Sequence, residues 1–502
     1  MNPTIIAQLQ GLAAGSLGGM GGHGSASGSL SDFGDLFKAL DSTSAQSDVA
    51  QLTGGAALGI QSLDRIMKST VFDQKHIVFF KDLMATNATN IVDEYTRMNS
   101  VGGFPGGSFN AQMGTVRSAT GDYQREVGMV KFIMQLRQVG FVTNITNNIA
   151  DAMSVEENNG ALSILQDLEY ALFYGHSAAC PVQFDGIFKQ IDDSIASGYI
   201  SGEHIYDMQG TSLTDVEAFN AINSAIIGYG SWGTPTDVYL PSSVQGDLNS
   251  GLDPSYRWNP DNQNQPMIGG HVPGIRLTHG VLKTHIDTFL HDANMPMIKP
   301  FEVTYSAFAS ALSTITPQGV AAACASDASS QFTAGRAGNY YYAVEAIDAQ
   351  GQGYSPVVKT TQTAISAGQK CTLTITASSA GTETGYRVFR SRQDAANTTG
   401  DMRLVAVVPK AGSTTTYVDL NRNIPGTFSA PIVDLERASD AIGWRQFQPM
   451  IKIPLPFGIG LMPVYSWFQF LFGYLRITNP KRHGYIKNIL PANAAWRPHT
   501  DE

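Results

Sequence analysis

An α+β body interrupted by an all-β sandwich is the fold class this chain predicts, and three observations predict it. Two apolar stripes at helical spacing begin near Ser154 and Thr214, each beside runs that read as strands. Five short β-like segments crowd the stretch 318–430, separated by Gly, Ser, Thr, Asn and Asp. The third is a run without charge, IPLPFGIGLMPVYSWFQFLFGYL at 453–475. It is long enough for a bilayer helix, which needs roughly 20 apolar residues. Pro454, Pro456 and Pro463 argue against the helix, at roughly 3 kcal/mol for each interior proline. The aromatic and β-branched run from Val464 to Ile477 instead reads as a strand buried on both faces, entered through an extended segment from Pro454 to Pro463 and ending at an Asn479-Pro480 turn.

Composition bounds the function. Of 502 residues only 15% are charged, which suggests that much surface is covered by other copies of the chain. The net charge of −10 leaves no global basic field for gripping nucleic acid, although the protein can still enclose it. Cys180, Cys324 and Cys371 share no metal-ligand spacing and cannot all pair, the usage of a reduced cytosolic protein. No positive charge precedes the apolar residues of MNPTIIAQLQ, so no signal peptide is expected.

Taken in order, residues 1 to about 50 contain a Gly/Ser-rich linker from Gly15 to Ser31. Gly19, Gly21 and Gly24 there match G-x-G-x-x-G, but no strand precedes them, and a flexible tether is the reading. Leu58, Ile60, Leu63, Ile66 and Met67 are spaced for a helix before an extended stretch at His76 to Phe80. NATNIVDEYTRM at 87–98 precedes SVGGFPGGSFNAQMG, and VKFIMQLRQVGFVTNI at 130–145 reads as one long strand. Extended segments joined by a glycine-rich excursion describe a projecting β-hairpin, too open to fold alone. A helix follows, capped by Ser154 with Glu157 in capping-box relation, its stripe made by Ala161, Ile164, Leu165, Leu168 and Leu172 and its stop by Gly175. The second helix starts at Thr214 with Glu217, and TDVYLPSS at 236–243 is a short buried strand.

Catalytic chemistry is thinly supported. There is no G-x-S-x-G elbow, Walker loop or cysteine-nucleophile motif. Glu156 and Glu157 sit at a helix start, where the macrodipole accounts for them. His279, His285 and His291 with Asp287 and Asp292 would share one face of a strand as metal ligands, but surface histidines beside a core strand are the preferred reading. No catalytic residue, cofactor or metal is expected.

YYYAVEAIDAQGQGYSP and GYRVFRSR resemble fibronectin type III or immunoglobulin-like modules, over the insertion only. For the rest, TGGAALGIQSLDRIMKSTVFDQKHIVFFKDL at 53–83, ATNATNIVDEYTRM at 85–98, EVGMVKFIMQLRQVGF at 126–141 and GYLRITNPKRHGYIKNIL at 473–490 resemble, in that order, the major capsid proteins of tailed bacteriophages, with their HK97-like (Hong Kong 97) shell fold. The resemblance implies an N-terminal arm over 1–84. A peripheral domain begins with 85–204, including an extended loop at 99–128 and a spine helix from about Ser154. An axial domain at 205–300, a connector at 301–317 and the sandwich at 318–430 follow, before the peripheral domain returns at 431–502. It further implies self-assembly into pentamers and hexamers of an icosahedral shell around double-stranded DNA, with portal and scaffolding or decoration proteins as partners and no membrane. The location implied is the virion capsid, assembled in the bacterial host cytoplasm. Phe104, Pro105 and Phe109 at the loop tip are the expected inter-subunit contacts, against the alternative of a loop folded on itself. An encapsulin-type compartment and a tail or surface adhesin are the rival classes.

Some members of that family weld subunits through a lysine on the extended loop, and this chain has none between Lys81 and Lys131. Particles boiled in detergent are therefore expected to run as a monomer band; a ladder of covalent oligomers would contradict this.

Overall fold

The computed structural model describes residues 77–103, 106–145, 151–228, 233–251, 273–290, 313–350, 355–436, 441–457 and 463–500. The chain divides into two units, Met1–Ser69 and Thr70–Glu502, and every described residue belongs to the second. The Gly/Ser-rich linker, its G-x-G-x-x-G and the helix expected at Leu58 to Met67 lie outside the described residues.

The first described element is a short helix, α1 (Phe79–Asp82), where an extended stretch was expected. The cause is a carboxylate from far along the chain: Glu169 accepts the backbone N–H groups of Val78, Phe79 and Phe80 at 3.0, 2.7 and 3.0 Å, which satisfies a first helical turn. Strands β1 (Ala85–Asn87), β2 (Val92–Ser100), β3 (Asp122–Met129) and β4 (Lys131–Gly140) follow. The strand expected over 130–145 stops at Gly140 and continues as helix α2 (Phe141–Ile145). Its partner strand begins at Val464, opposite Gly140, and the last backbone bond between the two segments among the described residues runs from the Phe141 N–H to the Pro463 carbonyl at 2.9 Å.

Helix α3 (Ala152–Tyr174) begins before the expected Ser154 cap. Asp151 caps it instead, accepting the Met153 N–H at 3.1 Å, while the Ser154 hydroxyl donates to the same carboxylate and Glu157 turns to Lys452. A carboxylate outcompetes a hydroxyl at the positive end of a helix. Gly175 ends it as expected. Helix α4 (Ile187–Ala196), strand β5 (Ile205–Asp207), helix α5 (Glu217–Gly228), strand β6 (Asp237–Leu240), helix α6 (Ser242–Gly251) and strands β7 (Gly274–Arg276) and β8 (Val281–Ile286) complete this half. At α5 the expected Thr214 cap is replaced by Asp215, whose carboxylate accepts the Glu217 N–H at 3.1 Å.

The insertion supplies β9 (Gly319–Ser326), β10 (Gly338–Tyr340), β11 (Tyr342–Ile347), β12 (Val358–Lys359), β13 (Thr363–Ile365), β14 (Gln369–Thr376), β15 (Gly385–Ser391), β16 (Met402–Pro409) and β17 (Thr414–Asp419). A sheet ordered β17-β14-β9 and one ordered β12-β11-β15-β16 share a core of Tyr342, Val344, Tyr386, Val388, Cys371, Leu373 and Ile375. The chain returns through β18 (Phe428–Val433), β19 (Ile442–Pro454), β20 (Val464–Ile477) and β21 (Gly484–Ile489). The bounds of β20 are those its proline-limited, charge-free sequence implied.

The return is divided between two sheets. β19 and β20 lie inside a sheet ordered β1-β19-β20-β4, whereas β18 and β21 lie inside one ordered β5-β21-β18-β6-β8-β7. On the first, α3 packs Ile164, Leu168, Leu172 and Phe173 against Trp444, Leu471 and Leu475. The approach is close enough that a Cβ on Gly160 would stand 1.8 Å from the Gln469 amide oxygen. On the second, Phe219, Ile222 and Ile226 of α5 meet Val238, Ile432 and Ile486. Among the described residues no helix is long and apolar enough to cross a membrane.

Glu169 is fully buried, as is Asp287 against it. Burial pushes both carboxyls up, and two carboxyls in one dry site cannot both ionise. Asp82, Tyr239 and His285 surround the pair. A carboxyl raised by folding stabilises the fold at low pH and loses that contribution as pH rises through its folded value. Wild type is therefore expected to lose stability relative to Glu169→Gln between about pH 5 and about pH 8 in denaturant titrations; a constant difference would refute the shared proton.

Candidate assembly interface

Alternating residues make β2 and β3 a ribbon in register from Val92↔Met129 to Ser100↔Asp122, and among the described residues neither strand pairs with any other. A two-stranded ribbon is marginal by itself. Asp93 attaches it to the first sheet. Its carboxylate accepts two hydrogen bonds from Arg445, at 2.8 Å each, and one from the Tyr474 hydroxyl at 2.7 Å, with Arg476 at 3.5 Å. Burial alone would raise this carboxyl, but the Arg445 and Tyr474 hydrogen bonds outweigh it and hold it below the ordinary range. Gly128 stands opposite Asp93, and a Cβ there would lie 2.1 Å from the Tyr474 hydroxyl, so only glycine lets the phenol reach. Further out, Arg97 stacks over Tyr199 at 4.0 Å and pairs with Glu126 at 2.8 Å, and Arg476 lies over Tyr95 at 5.2 Å.

That face of the ribbon is tied down; the other carries exposed Val92, Met98, Tyr123, Val127 and Met129. Beyond it the loop 101–121 presents Phe109 at 90% and Met113 at 97% exposure. Phe109 is therefore exposed, while Phe104 and Pro105 lie outside the described residues.

The first sheet contributes a second apolar surface, which the reading of β20 as buried on both faces missed. Strand β4 is inverted: Gln135 and Arg137 turn toward α3, bonding Ser163 at 2.8 Å and pairing with Glu156 at 3.5 Å. Phe132, Met134 and Leu136 face outward, opposite Phe472, Phe470 and Phe468 of β20. The rings of Phe132 and Phe472 meet edge-on at 4.8 Å, and those of Phe470 and Phe472 stack at 4.7 Å. Phe132, Met134, Leu136, Phe468 and Ile453 keep between 39% and 58% of their surface exposed. A contiguous patch of this kind marks an interaction site. The signal available in the sequence was the alternation F-I-M-Q-L-R-Q, whose polar members fit the helix side only because α3 supplies Ser163, Asp167 and Glu156.

The histidine and aspartate set does not converge. His285 Nε2 donates to the Asp237 carboxylate at 2.8 Å, and that bond pushes the imidazole up. Asp287 faces Glu169, and the backbone carbonyl of His279 accepts from Asn223 at 3.4 Å. His291 and Asp292 lie outside the described residues. Among the described residues no group of His, Cys, Asp and Glu is arranged to hold a metal ion.

The chain is 26% identical over 246 residues to a protein of Enterococcus phage phiEF24C described as "Putative major capsid protein". It is similar to a phage capsid protein. The match covers 47% of this chain, and the chain spans about half (50%) of that relative's length. No protein-family model matches. Among solved structures, the capsid of a native GTA particle aligns with a TM-score of 0.47 at 7% identity, over 88% of this chain and 98% of that one. The capsid of Myoviridae Phage XM1 aligns at 0.42 and 7% identity, over 86% and 97%. The holo-SrpI encapsulin complex from Synechococcus elongatus PCC 7942 aligns at 0.37 and 7% identity, over 90% and 98%.

Replacing Asp93 by Ala leaves Arg445 and Arg476 facing one another without their carboxylate. The expected cost is about 3 kcal/mol, with hydrogen exchange accelerated in β2 and β3 while α3 stays protected; unchanged exchange in the ribbon would show that something else holds it.

Proposed function

We propose that the chain is the major subunit of a tailed-phage shell: it assembles with copies of itself, through pentamers and hexamers, into an icosahedral capsid that encloses double-stranded DNA. The observation that carries this reading is the outward apolar face of β4 and β20 beside an unpaired ribbon with an apolar tip. Both are surfaces that a lone subunit leaves wet, and the similarity to a phage capsid protein supplies the partner: another copy. In this reading the ribbon and its loop are the extended loop, α3 is the spine helix, the first sheet is the peripheral domain, and the sheet built on β6, β8, β18 and β21 is the axial domain. Each subunit spreads its contacts over several neighbours, so weak interfaces sum by multivalency into a closed wall.

The role is structural, not catalytic. DNA is confined by the wall and not gripped, in keeping with the net charge of −10. Portal and scaffolding or decoration proteins are the further partners, and assembly takes place in the host cytoplasm. The HK97-like fold is the architecture this function uses.

The test is negative-stain microscopy and sedimentation of the expressed protein beside two double variants, Phe104→Ser with Phe109→Ser and Met134→Ser with Phe468→Ser. Wild type is expected to form closed particles, and both variants to stay as small species with wild-type circular dichroism. Normal shells from both variants would overturn the assignment of these surfaces, and particles from infected cells filled with a protein cargo instead of DNA would move the chain to the compartment class.

A further inference from the structure

Two of the three cysteines, remote in sequence, are brought together inside the inserted sandwich. Cys324 on β9 and Cys371 on β14 are direct partners across the antiparallel ladder, and their thiols lie within hydrogen-bonding reach of one another. Both are free thiols; Cys371 is fully buried and Cys324 is partly exposed. Cys180, the third, lies in a separate cluster with Ala179 and Ile347.

We infer that Cys324 and Cys371 form a reversible cross-strand disulfide, closed by a low-molecular-weight disulfide such as oxidised glutathione. The exchange balances without another electron acceptor. Cys324, the accessible partner, loses its proton and attacks one sulfur of the glutathione disulfide, releasing one glutathione thiol. Cys371 then loses its proton and attacks the Cys324 sulfur, releasing the second thiol. Two protein S–H bonds and one small-molecule S–S bond are exchanged for one protein S–S bond and two small thiols.

The position gives the bond a use. β9 reads GVAAACAS and, among the described residues, is an edge strand paired on one side with β14. Alanine packs poorly on a sheet surface, so this entry strand of the insertion is weakly held. Facing residues place their Cβ atoms roughly 4.5–5.5 Å apart, somewhat wider than the roughly 3.5–4.5 Å of a relaxed disulfide. Closure draws β9 inward, and the bond reduces readily in a glutathione-buffered cytoplasm. Burial pushes both thiols up, which makes closure slow at neutral pH and faster in alkali. That the staple closes after release from a reducing host rests on the shell reading; the thiol chemistry does not.

The full-length chain, incubated with oxidised glutathione at mildly alkaline pH, is alkylated in denaturant, digested and analysed by mass spectrometry. The expected product is a linked peptide pair joining Cys324 to Cys371, with Cys180 alkylated. Amide exchange in β9 is expected to slow by on the order of tenfold or more, an effect reversed by dithiothreitol and absent in Cys371→Ser. Separate alkylation of both cysteines, or a stable glutathione adduct on Cys324 beside a free Cys371, would overturn the inference, whether or not the protein forms shells.

Discussion

A two-stranded ribbon has no core of its own, so its direction is set wherever it meets something rigid. Here that meeting centres on one carboxylate, flanked by the Arg97–Tyr199 and Arg476–Tyr95 contacts. Asp93 gathers the guanidinium of Arg445, the phenol of Tyr474 and the flank of Arg476, all on β19 and β20, the two inner strands of the first sheet. The same β20 displays Phe468, Phe470 and Phe472 outward beside β4. The projecting ribbon and the apolar face are thus referenced to one frame, backed by the buried stripe of α3. Loosening Asp93 would leave the patch intact and unaim the arm, whereas losing the Leu168 and Leu172 stripe would remove the frame from both.

The inserted sandwich is fastened by several small contacts. The Val182 N–H donates to Ala349 at its base, and the C-terminal segment crosses it from the far side. There the Tyr340 hydroxyl meets His499 at 3.1 Å, Arg403 lies over Trp496 at 4.9 Å, and the Gln393 N–H donates to the Pro498 carbonyl at 2.9 Å. The same segment reaches α6, where the Ala492 N–H donates to Asp247 at 2.8 Å. Burial holds His499 strongly toward the neutral form, so acid works against this arrangement. A module fastened to α6 and to the turn after α3 is carried with the body.

Much of this was legible locally. Prolines and a missing charge delimit Val464–Ile477, glycine density marks the ribbon's loop, and period-two segments mark the sandwich. What escaped is long-range. Glu169 reads as an ordinary polar residue of a helix until Phe79 and its neighbours, about ninety residues away, are seen donating to it. The partition of β18 and β21 into the second sheet depends on pairing with β6 and β5, which no local pattern encodes. The helix starts were misplaced by three or fewer residues because the carboxylates of Asp151, three residues before Ser154, and Asp215, one residue after Thr214, take the role that the serine and threonine resemble. The outward face of β4 was hidden because its inward polar side chains find partners only once α3 is in place.

The central claim is that the ribbon's tip belongs to the surface of another copy. Its most direct measurement places a photo-crosslinking residue at Phe109 in particles assembled from mixed light- and heavy-isotope chains, with crosslinked peptides identified by mass. Links of mixed isotope, joining the tip to a different copy, are the expected result; links confined to chains of one isotope, with the tip bound to its own body, would contradict the account.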